Sequence, residues 1–188
     1  VHTSSIAAVL EPGAATVLDV LHRYRETATI SYDPNARPTL MGDPASVRVQ
    51  VEATISLSDV VKASDEDVAW LYGTEDVEDV VDSWRELGPA LTVLTRGDEG
   101  AVGFSESGRV QVSPVVVDAV DTVGAGDTFS AGILDALVAK GLLGAEQRGA
   151  LAALPSDEVA DVLRRAAALA AITVSRAGAN PPWSHELA

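Results

Sequence analysis

Two hydrophobic periods interleave along this 188-residue chain. Val17, Val20, Leu21 and Tyr24 follow Pro12-Gly13 at helical spacing and predict a helix over about 11–26. Residues 28–32 (ATISY) form a short, mostly apolar run that stops at Asp33-Pro34-Asn35, where proline forces an extended exit, so they are predicted as a strand. Asp43 as N-cap with Pro44 in the first turn predicts a helix to about Leu57. A strand over 59–63 (DVVKA) leads into Ser64-Asp65-Glu66-Asp67, a serine N-cap with an acid three positions on. An acidic amphipathic helix over 74–87 and a strand over 90–95 complete an alternation that predicts a parallel sheet with right-handed crossovers and helices on both faces. Residues 101–114 break the rhythm. The runs AVGF and RVQV flank Glu106-Ser107-Gly108 and predict an antiparallel hairpin. Beyond an extended stretch at 115–117, a helix is expected over about 128–140, then a loop and weak helix over 141–155. A long helix capped by Ser156 follows, with Val159, Val162, Leu163, Ala166, Leu169, Ala170 and Thr173 on one face.

Length and a 47% hydrophobic content suit one domain over residues 1–188. The net charge of -15 and the lack of any basic patch argue against a nucleic-acid partner, so a small anionic ligand must be held by local donors. Without cysteine there is no disulfide, thiolate catalysis or cysteine zinc site, which fits a reducing compartment; the cytoplasm is the expected location. The longest apolar stretches, such as 166–171, are far below the ~20 residues that span a bilayer, and no membrane partner is expected. His2, His22 and His185 share no metal-ligand spacing, and the three Trp read as packing residues.

The most informative segment is Asp121-Thr122-Val123-Gly124-Ala125-Gly126-Asp127-Thr128-Phe129. Small residues at 124–126 let the backbone turn tightly and aim N–H groups at one point, where a helix presents its positive end. That is a cradle for phosphate or an oxyanion. Asp127 beside it would repel a bound anion, yet it could accept the proton of an attacking hydroxyl while the turn stabilises charge on a transferring phosphoryl group. On these residues alone a plain helix cap is an equal reading. The Gly-Lys-Ser/Thr ending of a P-loop is missing, and the third glycine of a dinucleotide fingerprint would fall on Phe129.

The string DTVGAGDTFSAGIL resembles the C-terminal signature of the PfkB family of carbohydrate kinases, the ribokinase type. The resemblance implies an α/β fold, a ribokinase-like three-layer α/β/α sandwich with a mostly parallel sheet. It also implies Asp127 as catalytic base, with Gly124, Ala125 and Gly126 as the anion hole. Thr95-Arg96-Gly97-Asp98-Glu99-Gly100, on its own a strand-to-hairpin turn, is similar to the family's T-x-G-x-x-G segment. By that likeness Thr95, Gly97 and Gly100 contact ATP. Ser64 and Asp67 stand where the family usually has N-x-x-E, so the likeness places Ser64 at ATP and Asp67 at Mg²⁺ through water, with a shortened acid. Asp33-Pro34-Asn35-Ala36-Arg37 matches D-x-N-x-R and implies that Asn35 and Arg37 face sugar or phosphate. The 175–182 loop resembles the family's final loop beside adenine, with Asn180 at the adenine edge. Around it the resemblance implies a monovalent cation, K⁺, near Asp121, Val123, Thr173, Arg176 and Gly178.

The likeness covers only the later part of the family. The N-terminal signature, the lid strands and most sugar-binding residues have no counterpart, and Val1 rather than Met opens the chain. The expected function is an ATP-dependent sugar kinase, fructokinase-like from VKASDED and SRAGANPP, with sugar and ATP as its small-molecule partners and a homodimer open to the full-length protein. A kinase for 2-keto-3-deoxygluconate or a nucleoside, a non-catalytic nucleotide-binding fragment and a dinucleotide oxidoreductase are the alternatives, in that order.

Overall fold

The computed structural model describes residues 1–186. Strand β1 (His2–Ser4) is followed by a 3-10 turn at Ser5–Ala8, then α1 (Gly13–Tyr24) and β2 (Ser31–Asp33). The single-turn α2 (Pro38–Met41) precedes α3 (Pro44–Ser56), β3 (Val60–Ser64), α4 (Asp65–Tyr72) and α5 (Val77–Ser83). Strand β4 (Leu91–Thr95) leads into the hairpin of β5 (Ala101–Ser105) and β6 (Gly108–Val112). Helices α6 (Ala125–Ala139), α7 (Arg148–Ala152) and α8 (Ser156–Val174) complete the chain.

The six strands lie in the order β1-β2-β3-β4-β5-β6. The first four run parallel and the last two are added antiparallel. Side chains alternate across the pleat. Val61, Ala63, Leu94, Val102 and Phe104 therefore pack against α3, α4, α5 and Trp84 on one face. Val60, Leu91, Val93, Ala101 and Val112 meet Phe129, Ile133 and Leu137 of α6 and Val159, Leu163 and Ala166 of α8 on the other. The result is a three-layer α/β/α arrangement, as expected from the alternation of periods. Among the described residues no helix is long and apolar enough to cross a membrane.

Several boundaries differ from the sequence reading, each for a local reason. Strand β2 starts at Ser31 rather than 28, because side chains take the backbone groups before it. Arg148 donates to the Ala28 carbonyl at 2.9 Å, and the Ile30 amide donates to Asp59 at 2.7 Å. Asp59, buried at the amino ends of the strands, also accepts from Arg25 at 2.5 Å and Arg148 at 2.6 Å. Ser156 does not cap α8. It is the first helical residue, and its hydroxyl donates to the Ser107 carbonyl at 2.9 Å, tying the hairpin to the helix. The helix expected over 74–87 splits into α5 and a 3-10 turn at Trp84–Leu87. Residues 115–117 are extended but join no strand and stay exposed. Helix α6 begins at Ala125, three residues earlier than expected, so Asp127 lies inside its first turn. Asp43 and Ser64 do cap α3 and α4, the second through a reciprocal capping box with Asp67.

Helix α6 is seated by a close approach to α8. A Cβ added to Gly132 would lie 2.6 Å from the Ala166 Cα and 3.2 Å from its Cβ, so the two backbones touch where only hydrogen and methyl separate them. Gly132→Val should therefore lose about 2–3 kcal/mol of folding stability, the cost of overpacking against backbone that cannot rotate away. Urea denaturation checks this; an unchanged midpoint would show that α6 can shift freely.

Candidate functional site: a glycine turn over the carboxyl ends of the parallel strands

The parallel register brings four strand ends to one side of the sheet, with β3 and β4 reaching beyond β1 and β2. Ser4 is paired with Asp33 across β1 and β2, and Ser64 with Thr95 across β3 and β4. Over these ends sits the turn that opens α6. Gly124 is its N-cap in the left-handed region, φ 80°, and a Cβ there would lie 3.0 Å from the Ala179 Cβ, so the turn also packs against the final loop. The Ala125 amide donates to the Thr122 carbonyl at 3.2 Å. Among the described residues the amides of Gly124, Gly126 and Asp127 have no protein acceptor. The free donors at this helix end are thus Gly124, Gly126 and Asp127, whereas Ala125 serves as the small residue of the bend, its own amide already engaged.

Asp127 is exposed, and α6 has no side-chain cap. The carboxylate is therefore free of the capping role that the residue pattern alone left open. Beneath the turn lies a charged pair missing from the sequence reading. Lys62 in β3 donates to the Asp33 Oδ2 at 2.9 Å, with both side chains buried, and Ser130 of α6 donates to the same oxygen at 3.3 Å. A Cβ on Gly126 would meet the Lys62 Nζ at 3.0 Å. Burial pushes the Asp33 carboxyl up, opposed by the charge and hydrogen bond of Lys62. The His2 ring shares a hydrogen bond of 2.8 Å with the Ser31 hydroxyl. Burial lowers its pKa, while the charges of Asp33 and Asp127 act the other way. A lysine inside the otherwise apolar VVKA run was the available signal, since a buried ammonium requires a counter-ion.

The remaining predicted residues fall into three groups. Asn35, in the left-handed region at φ 39°, accepts from Arg37 at 2.6 Å, and its carbonyl accepts from Ser5 at 2.9 Å. Asp67 bridges this loop to α4: its Oδ1 accepts the Ala36 amide at 2.8 Å and its Oδ2 the Ser64 amide at 3.3 Å. Ser64 ends β3 and is spent on the Asp67 amide at 3.1 Å. Thr95 ends β4 and donates to the Ala63 carbonyl at 3.4 Å. Gly97, φ 50°, has open space around it. Gly100 does not: its Cβ would lie 2.2 Å from the Val112 carbonyl, so it is needed for the hairpin to close. At the third position, Asp121 ties two loops together by accepting the Val123 and Gly178 amides, each at 2.9 Å. Thr173 is buried and shares a hydrogen bond of 2.9 Å with Thr128, joining α8 to α6. Arg176 pairs with Glu186 rather than facing the turn. Asn180 is exposed in the final loop. No group of three or more His, Cys, Asp or Glu among the described residues is arranged to hold a metal by itself. A cleft of about 640 Å³ opens at the opposite, amino end of the sheet, where Arg25 and Arg148 are already consumed by Asp59.

An open, mostly parallel sheet with a glycine turn and helix amides over its strand ends is the arrangement in which α/β folds place their ligand crevice. Residues 1–186 match the pfkB family carbohydrate kinases, and the chain belongs to that family. It is 38% identical to a fructokinase of Rhizobium leguminosarum bv. trifolii over 150 residues, 80% of this chain and 46% of that protein. It is 34% identical to probable fructokinase-4 of Arabidopsis thaliana over 185 residues, 96% of this chain and 53% of that one. Among solved structures, a fructokinase from Xylella fastidiosa with bound ATP superposes with a TM-score of 0.81 at 26% identity, over 95% of this chain and 56% of that one. Aminoimidazole riboside kinase from Salmonella enterica, complexed with aminoimidazole riboside and an ATP analog, superposes with a TM-score of 0.80 at 25% identity, over 99% and 60%. The fold is thus the ribokinase-like kind, and the chain spans about half the length of the curated relatives it matches.

The Asp121 tether has a pH signature. The Val123 amide, and after it the Gly178 amide, hold this carboxyl below the usual aspartate range by favouring its ionised form. The tether is therefore complete above about pH 4, the ordinary aspartate value, and is lost as pH falls through the lowered one. At neutral pH, Asp121→Asn should raise amide exchange at Val123 and Gly178 by about 10-fold, the loss of roughly one hydrogen bond to a charged group. Exchange mass spectrometry reads this, and unchanged protection would remove Asp121 as the tie between the loops.

Proposed function

We propose that this chain carries the phosphoryl-transfer half of an ATP-dependent sugar kinase, with fructose or a close relative as acceptor. The observation that carries the reading is the exposed, uncapped Asp127 carboxylate beside three amides without protein acceptors at the start of α6. In this reading Asp127 accepts the proton of the acceptor hydroxyl as its oxygen attacks the γ-phosphorus of ATP. The bond from that phosphorus to the β–γ bridging oxygen breaks, and ADP departs with that electron pair. Charge growing on the transferring group falls on the amides of Gly124, Gly126 and Asp127, which are aligned with the positive end of α6 before the reaction begins. Thr95 and Gly97, with Ser64, line the phosphate approach, and Arg37, held by the Asn35 side chain, offers a planar cation to phosphate or sugar. Asn180 serves the adenine edge. The fructokinases among its relatives support fructose as acceptor.

Mg²⁺ would neutralise charge across the triphosphate. The donor set fits a metal that arrives with ATP and keeps its waters, because both Asp67 oxygens already accept backbone amides. A monovalent cation would rest on backbone carbonyls near Asp121, Val123, Thr173, Arg176 and Gly178, the Asp121 carboxylate being occupied as a tether. The setting proposed is the cytoplasm, with the complete gene product free to dimerise.

In the complete gene product, Asp127→Asn should leave the ATP dissociation constant within threefold while sugar-dependent ADP release falls by about 10²–10⁴-fold, the usual contribution of a general base. Calorimetry and coupled-enzyme kinetics on fructose, 2-keto-3-deoxygluconate and a nucleoside give both numbers. Undiminished turnover would reject the reading. ATP binding without turnover on any acceptor would favour a non-catalytic nucleotide-binding module.

A further inference from the structure

A lysine is an expensive residue to enclose, and Lys62 is only 5% exposed. Its position explains where the charge acts. Alternation along β3 puts Lys62 on the same face as Val60, toward α6, while Val61 and Ala63 face the other layer. Its Nζ lies against the backbone of the turn. Outside its own helix turn it is the nearest described atom to the place where a Gly126 Cβ would stand, at 3.0 Å, so a larger residue at 126 would push the ammonium away. The counter-ion lies on the other side. Asp33 Oδ2 holds the ammonium at 2.9 Å and also accepts from Ser130, while Asp33 Oδ1 is buried without a partner. An ammonium has three donors, and only one of those on Lys62 has a protein acceptor among the described residues. The pair is neutral as a whole but polarised, with its positive end under Gly126 and its negative end toward β2.

We propose that Lys62, anchored by Asp33, is a positioning residue whose buried charge raises the positive potential of the Gly124–Asp127 amides and so favours an anion at the turn when its charge is greatest. The inference rests on the kinase reading of that turn. A fixed charge on a buried side chain acts strongly over a few ångströms and needs no rearrangement during the reaction. Lys62 acts on the phosphoryl group through the turn, so its effect belongs in the rate of transfer more than in ground-state binding of ATP.

The test separates this role from simple packing. Lys62→Met alone strands the buried Asp33 charge, so the double variant Lys62→Met/Asp33→Asn, which removes both ends of the pair, carries the comparison. In the complete gene product the double variant should recover the melting temperature lost in Lys62→Met. Its kcat should stay about 10- to 100-fold below the parent while KM for ATP changes less than threefold, a smaller loss than deletion of a direct oxyanion donor. A kcat within threefold of the parent in a stably folded double variant would overturn the inference and reduce the pair to a packing element. Asp127→Asn is run in parallel. Loss of turnover there with normal turnover in the double variant sinks only the role of Lys62, whereas undiminished turnover in Asp127→Asn sinks the kinase reading and this inference together.

Discussion

Helix α6 has one place to sit, because Gly132 brings its backbone into contact with Ala166 of α8 while Phe129, Ile133 and Leu137 fill the face of the sheet. Packing of this density leaves little room to slide. The first turn of α6 is thereby held over the ends of β2 and β3, and its amides point where the parallel strands also end. Thr128 and Thr173 add a buried hydrogen bond at the same junction, and Asp121 draws in the final loop. Every feature of the candidate site refers back to where this helix begins.

The two ends of the sheet use buried charge differently. At the amino end Asp59 is saturated by two arginines and a backbone amide, and Arg148 spends its other donors on the carbonyls of Arg25 and Ala28. That network closes on itself and fixes the connections before β2. At the carboxyl end the Lys62–Asp33 pair is incomplete among the described residues, with unused donors on the lysine and an unpartnered oxygen on the aspartate, and it lies against a turn in which the Gly124, Gly126 and Asp127 amides also have no protein acceptor. Unsatisfied polar groups are costly inside a protein unless a ligand completes them. Their concentration at one end gives a chain with a net charge of -15 a local set of free donors.

Membership of the pfkB family carbohydrate kinases agrees with this division. The family match runs over residues 1–186 and so includes the glycine turn, the strand ends and the final loop, while the chain spans 46% and 53% of the two fructokinases compared with it.

The sequence by itself determined the alternation of strands and helices, the antiparallel hairpin, the caps at Asp43 and Ser64 and the turn before Asp127, because each is written in residues close together along the chain. Periodicity needs only neighbours, and a cap needs only the next three residues. Boundaries failed where distant side chains took over local backbone groups, as Arg148 and Asp59 do before β2, or where a hydroxyl found a remote acceptor, as Ser156 does at Ser107. Only the tertiary structure decided which turn amides stay free, that Asp127 caps nothing, and that Lys62 meets Asp33 beneath Gly126. The charged pair beneath the turn depends on contacts between residues 29 to 97 positions apart, and a linear pattern carries no information about which distant groups a fold will bring into hydrogen-bonding reach.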